Sequence, residues 1–365
     1  MKKILITNSH LKMGGIENSL VNLVNSIDHS KYEIDLFLID KEGELLNKVS
    51  DKVNIYELND FYKTNFMITK VLVRFPFLMK KFFKQNKKYD VAISYNGYNN
   101  ITDMTSYYAN CDKKIIWVHS DYLVRRKMSH VFKAQYLRMK FKYKYFDKIV
   151  CSSKGAMDSF NELEPNLASK TDYCYNIVKL KDNEQKSDDI NLDGEINIVT
   201  LGRLVEQKGF DRFIEIIKKL RDSNYNVKGY IIGEGEKRDE LTSLIKKNHL
   251  EDNVKLLGHI SNPYGVLKKA DVFLLTSYVE GFGIVLIEAL SLGIPIVLPK
   301  FSSASEIHNN IAPKNSSIVT DNDIDSLFYG TKKMIDNLDN YKFNFELEKY
   351  NLEVLNKLDK ILSGD

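Results

Sequence analysis

A chain of 365 residues with 43% hydrophobic and 28% charged side chains is too long for one ordinary core and too apolar for wholesale disorder, so about two globular domains are expected. Three scattered cysteines, Cys111, Cys151 and Cys174, argue against a disulfide framework and against a zinc site. The net charge of +4 hides an uneven spread: residues 1–175 hold 28 Lys and Arg against 19 Asp and Glu, residues 176–365 hold 25 against 30, and the stretch 70–148 holds 18 against 5. Such a basic first half predicts an anionic partner there, or else a plain lysine-rich solvated surface. Nucleic acid is disfavoured, because no recognition motif accompanies the charge. MKKILITNSH does not read as a signal peptide, and no run approaches the roughly 18 apolar residues of a membrane span. A cytoplasmic protein, or one peripheral on the inner face of the cell membrane, is therefore expected.

In chain order, β-branched runs at 3–7, 32–39, 53–58, 90–95, 114–119 and 147–152 predict strands, with amphipathic segments at 16–27, 66–85 and 130–146 among them. The polar stretch KLKDNEQKSDDINLDGE, 179–195, reads as a linker. Beyond it, strands are predicted at 196–201, 227–233, 253–258, 271–276 and 294–298, and helices at 209–221, 236–248 and 283–291. Alternating β and α segments mean parallel sheets with right-handed crossovers. The expected architecture is α/β: two doubly wound, Rossmann-like domains, 1–178 and 196–344, facing a central cleft. Ligands of such sheets bind beyond the carboxyl ends of strands, so residues there carry the functional information.

Four stretches lie just past strand ends. Gly14 and Gly15 precede an apolar-periodic helix and offer backbone N–H groups to an anion, although a structural turn explains them as well. GRLVEQKG places Arg203 and Lys208 on one loop, where two cations flank a diphosphate or simply face water. IIWVHSD puts His119 at a strand end, in a structural or a cleft position. SYVEGFGIVLIEALSL sets Gly281, Phe282 and Gly283 before a helix that is apolar on every side except for Glu288. A carboxylate in so apolar a helix needs a partner, and the hydroxyls of a ribose would serve. Glu280 precedes the helix and points from the loop.

Together these motifs, with GGIE, VCSS, GEGEKRDEL and VKLLGHI, resemble the retaining glycosyltransferases of family four, the group 1 glycosyl transferases, over most of the chain. The resemblance implies the GT-B fold and assigns roles. Arg203 and Lys208 would hold the donor diphosphate, and Gly15 would approach it. Glu288 would bind the ribose, and Gly258 to Ile260 would read the base. Glu280 and the backbone of Gly281, Phe282, Gly283 and Ile284 would meet the sugar. His119 would reach the sugar from the other domain, and Glu280, His119, Arg203 and Lys208 would carry the chemistry. Glu280 is open to a role as nucleophile or as an electrostatic and positional element, and the lack of a partnered acid favours the second.

The implied reaction transfers a hexose or N-acetylhexosamine from a nucleotide sugar, UDP-linked, to a hydroxyl of a glycan or lipid-linked acceptor. It implies retention of configuration, no metal and no cofactor beyond the donor. The implied setting is bacterial capsule, exopolysaccharide or other cell-surface polysaccharide synthesis, with the basic residues of 70–148 touching an anionic membrane. By the same analogy a C-terminal helix, within 345–365, packs back on the first domain. A non-catalytic GT-B partner of another transferase and a nucleotide-sugar epimerase are the alternative readings. SSASEI, 302–307, departs from the family's usual glycine-rich turn and leaves the sugar open.

Overall fold

The computed structural model describes residues 1–57, 87–97, 99–180 and 190–363. The amphipathic stretch 66–85, residues 71–86 of the basic run 71–90 and linker residues 181–189 lie outside the described residues. The chain divides into two compact units, 1–177 with 351–365, and 178–350.

The first unit is a seven-stranded sheet in the order β3-β2-β1-β4-β5-β6-β7, with every neighbouring pair parallel. Its strands are β1 (Lys2–Asn8), β2 (Tyr32–Leu38), β3 (Val53–Glu57), β4 (Tyr89–Ser94), β5 (Cys111–Val118), β6 (Lys148–Cys151) and β7 (Thr171–Tyr173). Continuous apolar runs such as Ile4-Leu5-Ile6 are fully buried, as strands covered on both faces require. The described helices of this unit are α1 (Gly15–Ser26), α2 (Asn100–Tyr108), α3 (Tyr122–Met128), α4 (His130–Met139) and α5 (Lys154–Leu163). The helix expected over 130–146 stops at Met139 and continues as a 3-10 turn over Lys140–Tyr145. There KFKYKY alternates Lys with aromatics, a period of two that no α-helical stripe accommodates.

The second unit is a six-stranded parallel sheet in the order β10-β9-β8-β11-β12-β13. Its strands are β8 (Ile196–Leu201), β9 (Val227–Ile232), β10 (Val254–Gly258), β11 (Val272–Leu274), β12 (Ile296–Pro299) and β13 (Ser317–Thr320). The helices that matter below are α6 (Phe210–Asp222), α7 (Arg238–Lys247), α8 (Ile284–Ser291) and α9 (Ile324–Ile335). α6 turns Phe213, Ile216, Ile217 and Leu220 onto the sheet, an i, i+3, i+4, i+7 stripe at no exposure.

A last helix, α10 (Leu347–Ser363), returns its residues from 351 onward to the first unit. Val354, Leu358 and Ile361 are buried there, and Lys357 pairs with Asp172 at 2.6 Å. Its final carbonyls accept from two lysines of the first sheet, Ile361 from Lys113 Nζ at 2.7 Å and Leu362 from Lys2 Nζ at 3.4 Å. Cations at a helix carboxyl end satisfy orphan carbonyls and oppose the negative pole of the dipole.

Candidate functional site

Strand order reverses between β8 and β11, and a doubly wound sheet opens its crevice at such a reversal. The loops leaving these two strands are stitched together. Tyr278 N–H donates to the Gln207 carbonyl at 2.9 Å, and Gln207 Nε2 donates to the Val279 carbonyl at 2.8 Å. Thr276 Oγ1 donates to the Lys208 carbonyl at 3.1 Å, and the buried Arg212 guanidinium donates to the Thr276 carbonyl at 3.1 Å. Gly209 has φ of 60°, and a Cβ there would lie 2.5 Å from the Thr276 carbonyl oxygen. Only glycine permits both that backbone and that approach.

The stitching brings two of the expected site residues into contact. Lys208 Nζ donates to Glu280 Oε1 at 2.6 Å, and Ser277 Oγ donates to the same oxygen at 2.6 Å. The two charged side chains are 19% and 10% exposed, low enough for the pair to be worth more than a surface ion pair. The lysine stem lies beside Gly202, where a Cβ would stand 3.3 Å from Cε. Glu280 Oε2 makes no hydrogen bond among the described residues. Arg203 is exposed and has no hydrogen-bonded or ionic partner for its guanidinium among the described residues. One loop thus carries a compensated cation and an uncompensated one.

The helix α8 differs from expectation. It buries Leu286, Ile287, Ala289 and Leu290, while Ile284, Val285, Glu288 and Ser291 are partly exposed. Hydropathy suggested burial on all sides. In fact the stripe through Ile284, Glu288 and Ser291 is open, so Glu288 does not sit within an apolar core. It also has a protein partner, since Tyr264 Oη donates to Glu288 Oε1 at 3.0 Å. Burial, reinforced by the Glu288 carboxylate, pushes the Tyr264 hydroxyl pKa far up and keeps it a donor. At the start of α8, Gly283 has φ of 79° and provides no side-chain cap for the first N–H groups of the helix. Ser303 Oγ ties the turn by donating to the Gly281 carbonyl at 3.2 Å. Phe282 is buried.

At the end of β10, Gly258 has φ of 75° and its carbonyl accepts from Gly233 N–H at 2.8 Å. Ile260 is buried, with no hydrogen bond to its backbone groups among the described residues.

The first unit has its own reversal, between β1 and β4. Gly14 caps α1 in an extended conformation without a side-chain bond, and a Cβ on Gly15 would meet nothing within 4 Å. Tyr95 comes directly after β4; its N–H donates to the Thr7 carbonyl at 3.0 Å, and its hydroxyl is 2.7 Å from Ser19 Oγ on α1. His119, just past β5, packs its ring 4.5 Å from that of Tyr95. Its Nε2 lies 2.8 Å from the Tyr95 carbonyl oxygen. A carbonyl only accepts, so Nε2 carries the proton and Nδ1 keeps a free lone pair. Burial pushes the His119 pKa down to about 4, partly offset by that hydrogen bond, so the ring is neutral at pH 7. Nearby Asn8 Oδ1, Asn96 Oδ1 and Trp117 Nε1 are shielded and have no partner among the described residues.

Residues 182–350 match the family model described as "Glycosyl transferases group 1". An uncharacterized glycosyltransferase of Methanocaldococcus jannaschii is 32% identical over 196 residues, 52% of this chain and 48% of that protein. The N-acetylgalactosamine-N,N'-diacetylbacillosaminyl-diphospho-undecaprenol 4-alpha-N-acetylgalactosaminyltransferase of Campylobacter jejuni is 32% identical over 195 residues, 53% of this chain and 52% of that protein. The chain thus spans about half the length of these curated relatives. In structure, it is similar to Anabaena HepE in complex with UDP and glucose, with a TM-score of 0.74 at 15% identity over the full length of both chains. The second unit thus matches the group 1 glycosyl transferases, and the chain has the GT-B fold.

Sequence reasoning missed Ser277, Tyr264, Tyr95 and Ser303. Each meets a candidate residue, or the candidate turn, from a distance in sequence or through an unremarkable hydroxyl. Only Ser277, three residues before Glu280, carried a local signal.

Proposed function

We propose that the protein is a retaining, metal-independent glycosyltransferase that moves a hexose or N-acetylhexosamine from a UDP-linked donor to a hydroxyl of a glycan or lipid-linked acceptor in bacterial cell-surface polysaccharide synthesis. The observation that carries this reading is the Lys208–Glu280 contact on the loop that also holds Arg203, exposed and without a partner among the described residues, at the strand reversal of the second unit. The HepE structure, with UDP and glucose bound, supports the donor class. The Campylobacter relative, named for a diphospho-undecaprenol substrate, supports a lipid-linked acceptor.

Departure of the diphosphate builds negative charge. On this reading Arg203 and Lys208 neutralise it, together with the uncapped N–H groups of α8. Glu280 Oε1 already accepts from Lys208 and Ser277, which makes it a poor nucleophile. Its free Oε2 suits a sugar hydroxyl instead. Glu280 therefore positions the sugar, and retention results from attack on the face the diphosphate leaves, with a departing phosphate oxygen taking the acceptor proton. Glu288 receives the ribose, Gly258 and Ile260 receive the base, and neutral His119 offers Nδ1 as an acceptor. In the first unit a groove of about 670 Å³ is lined by Ile101, Val131, Ala134 and Met139 with Asn99 and Arg138, a mixed lining suited to an amphiphilic acceptor.

Calorimetry with UDP tests the reading. Lys208→Ala and Glu288→Ala should each weaken UDP binding by about tenfold or more while the far-UV spectrum stays native. Unchanged affinity in both variants rejects the assignment.

A further inference from the structure

Arg212, in the first turn of α6, is 2% exposed, and no carboxylate pairs with it among the described residues. Asp211 and Asp323 act on it only as charges at a distance. Its Nη1 serves two acceptors, the Thr276 carbonyl at 3.1 Å and Asn322 Oδ1 at 2.8 Å, and its guanidinium lies 4.8 Å from the centre of the Tyr278 ring. Nη2 is shielded and has no partner among the described residues. A buried cation in this state adds little stability over an apolar side chain of similar volume, so packing alone does not account for it. The groups it grips account for it better.

Those groups flank one residue. β11 ends at Leu274, and Leu275 N–H still bonds the next strand at the Val297 carbonyl, 2.9 Å away. The following carbonyl, that of Thr276, takes its donor from Arg212 instead. Tyr278 is held three ways: its ring meets the guanidinium, its N–H donates to the Gln207 carbonyl, and its carbonyl accepts from Asn322 Nδ2 at 3.3 Å. Asn322 Nδ2 also donates to the Lys300 carbonyl at 3.2 Å, so the loops that follow β11, β12 and β13 meet at the Arg212–Asn322 pair. Between the two gripped residues stands Ser277, 1% exposed, whose Oγ donates to Glu280 Oε1 at 2.6 Å.

We propose that Arg212 is a positioning residue of the transfer reaction: by fixing Thr276 and Tyr278 it sets Ser277, which turns Glu280 so that Oε2 is presented to the donor sugar. The proposal rests on the reading of Glu280 as the group that meets that sugar. A planar guanidinium suits the task, because its donors point in fixed directions while its face stacks on a ring, whereas a lysine is a point charge on a flexible stem. The diphosphate cations have ties of their own, Leu204 N–H to the Glu234 carbonyl at 2.9 Å and Lys208 N–H to the Val205 carbonyl at 3.0 Å. Loosening Arg212 therefore acts on the chemical step and spares nucleotide binding.

The experiment pairs UDP affinity, measured by calorimetry, with UDP release to water from UDP-glucose, UDP-galactose and their N-acetylhexosamine forms. Arg212→Lys should lower kcat by about tenfold or more and change the UDP Kd by less than about twofold. Asn322→Ala, at an exposed position, should give a smaller loss of the same kind, and the two losses should combine to less than their product. In the ligand-free variants amide exchange should quicken over 276–280 while β8 and β9 keep wild-type protection. A wild-type chain that neither binds UDP nor releases it from any of these donors would reject the donor reading and this proposal with it. Wild-type turnover with unaltered kcat in both variants would overturn the proposal alone. So would equal losses of kcat and UDP affinity, which assign Arg212 to the nucleotide, or lost protection throughout the second unit, which assigns it to stability.

Discussion

The two strand reversals share one geometry and differ in chemistry. At the β8/β11 reversal the groups are charged: an exposed Arg203, a Lys208–Glu280 pair and Glu288 held by Tyr264. At the β1/β4 reversal the inner groups are neutral, with His119 held by the Tyr95 carbonyl, the Tyr95 hydroxyl held by Ser19, and amide and indole atoms without partners among the described residues, while the Glu17 carboxylate lies against the Gly14 turn. The same fold thus places charged side chains at one reversal and mostly neutral ones at the other. The difference arises from the loops that leave the strands, not from the strands themselves.

The sharpest way to break that contrast is to remove charge from the second unit. Arg203→Ala and Lys208→Ala should each lower the transfer rate by about 10²-fold or more, the scale of losing one preorganised group facing transition-state charge. They should part company in stability. Arg203 has no partner to lose among the described residues, so its variant should unfold within about 0.5 kcal/mol of wild type. Lys208→Ala leaves Glu280 largely buried and uncompensated, which should cost about 1–3 kcal/mol, and Lys208→Met with Glu280→Gln should recover most of it. Chemical denaturation of the four proteins measures the difference. Equal stabilities of the Arg203 and Lys208 variants would show that the 2.6 Å contact contributes nothing.

The next effect belongs to the neutral crevice. His119 is held at a pKa of about 4, below the ordinary value near 6.5 of an unfolded chain. Between those values the unfolded state binds the proton and the native state does not. His119 therefore contributes stability that is present above pH 6.5 and is lost as pH falls toward 4. The thermal midpoint of His119→Asn should fall less steeply over that window than that of wild type. The variant's transfer rate should drop while UDP affinity holds, because His119 is read as meeting the sugar and not the nucleotide. Parallel midpoint curves would remove His119 from the acid response.

Much of this was legible in the sequence, and the parts that were not share a physical cause. β1 and β8 announce themselves as β-branched runs, and GRLVEQKG and EGFG lie past strand ends, where chemistry is expected. β7 and β13 were missed, because TDY and SIVT are three- and four-residue strands, too short to show a period. Periodicity ranked α8 as buried all round because Ile284 and Val285 are apolar, yet nothing in a sequence says which side a neighbour leaves open. The Lys208–Glu280 contact spans 72 positions and depends on the cross-bonding of two loops, a tertiary fact. Gly202 was overlooked because its value lies in a lysine stem folded past it.

The smallest expected effect sharpens the reading of Glu288. If its carboxylate receives a ribose, the Tyr264 hydroxyl fixes it in place and is not itself the ligand. Tyr264→Phe keeps the ring that packs beneath the helix and deletes one hydrogen bond, which contributes about 0.5–1.5 kcal/mol. UDP affinity should fall by about two- to tenfold, less than for Glu288→Ala, and the double variant should be no weaker than Glu288→Ala alone. That pattern identifies Tyr264 as acting through Glu288. An additive loss in the double variant would mean that Tyr264 touches the nucleotide directly, and the open stripe of α8 would then hold two binding groups where one is now assigned.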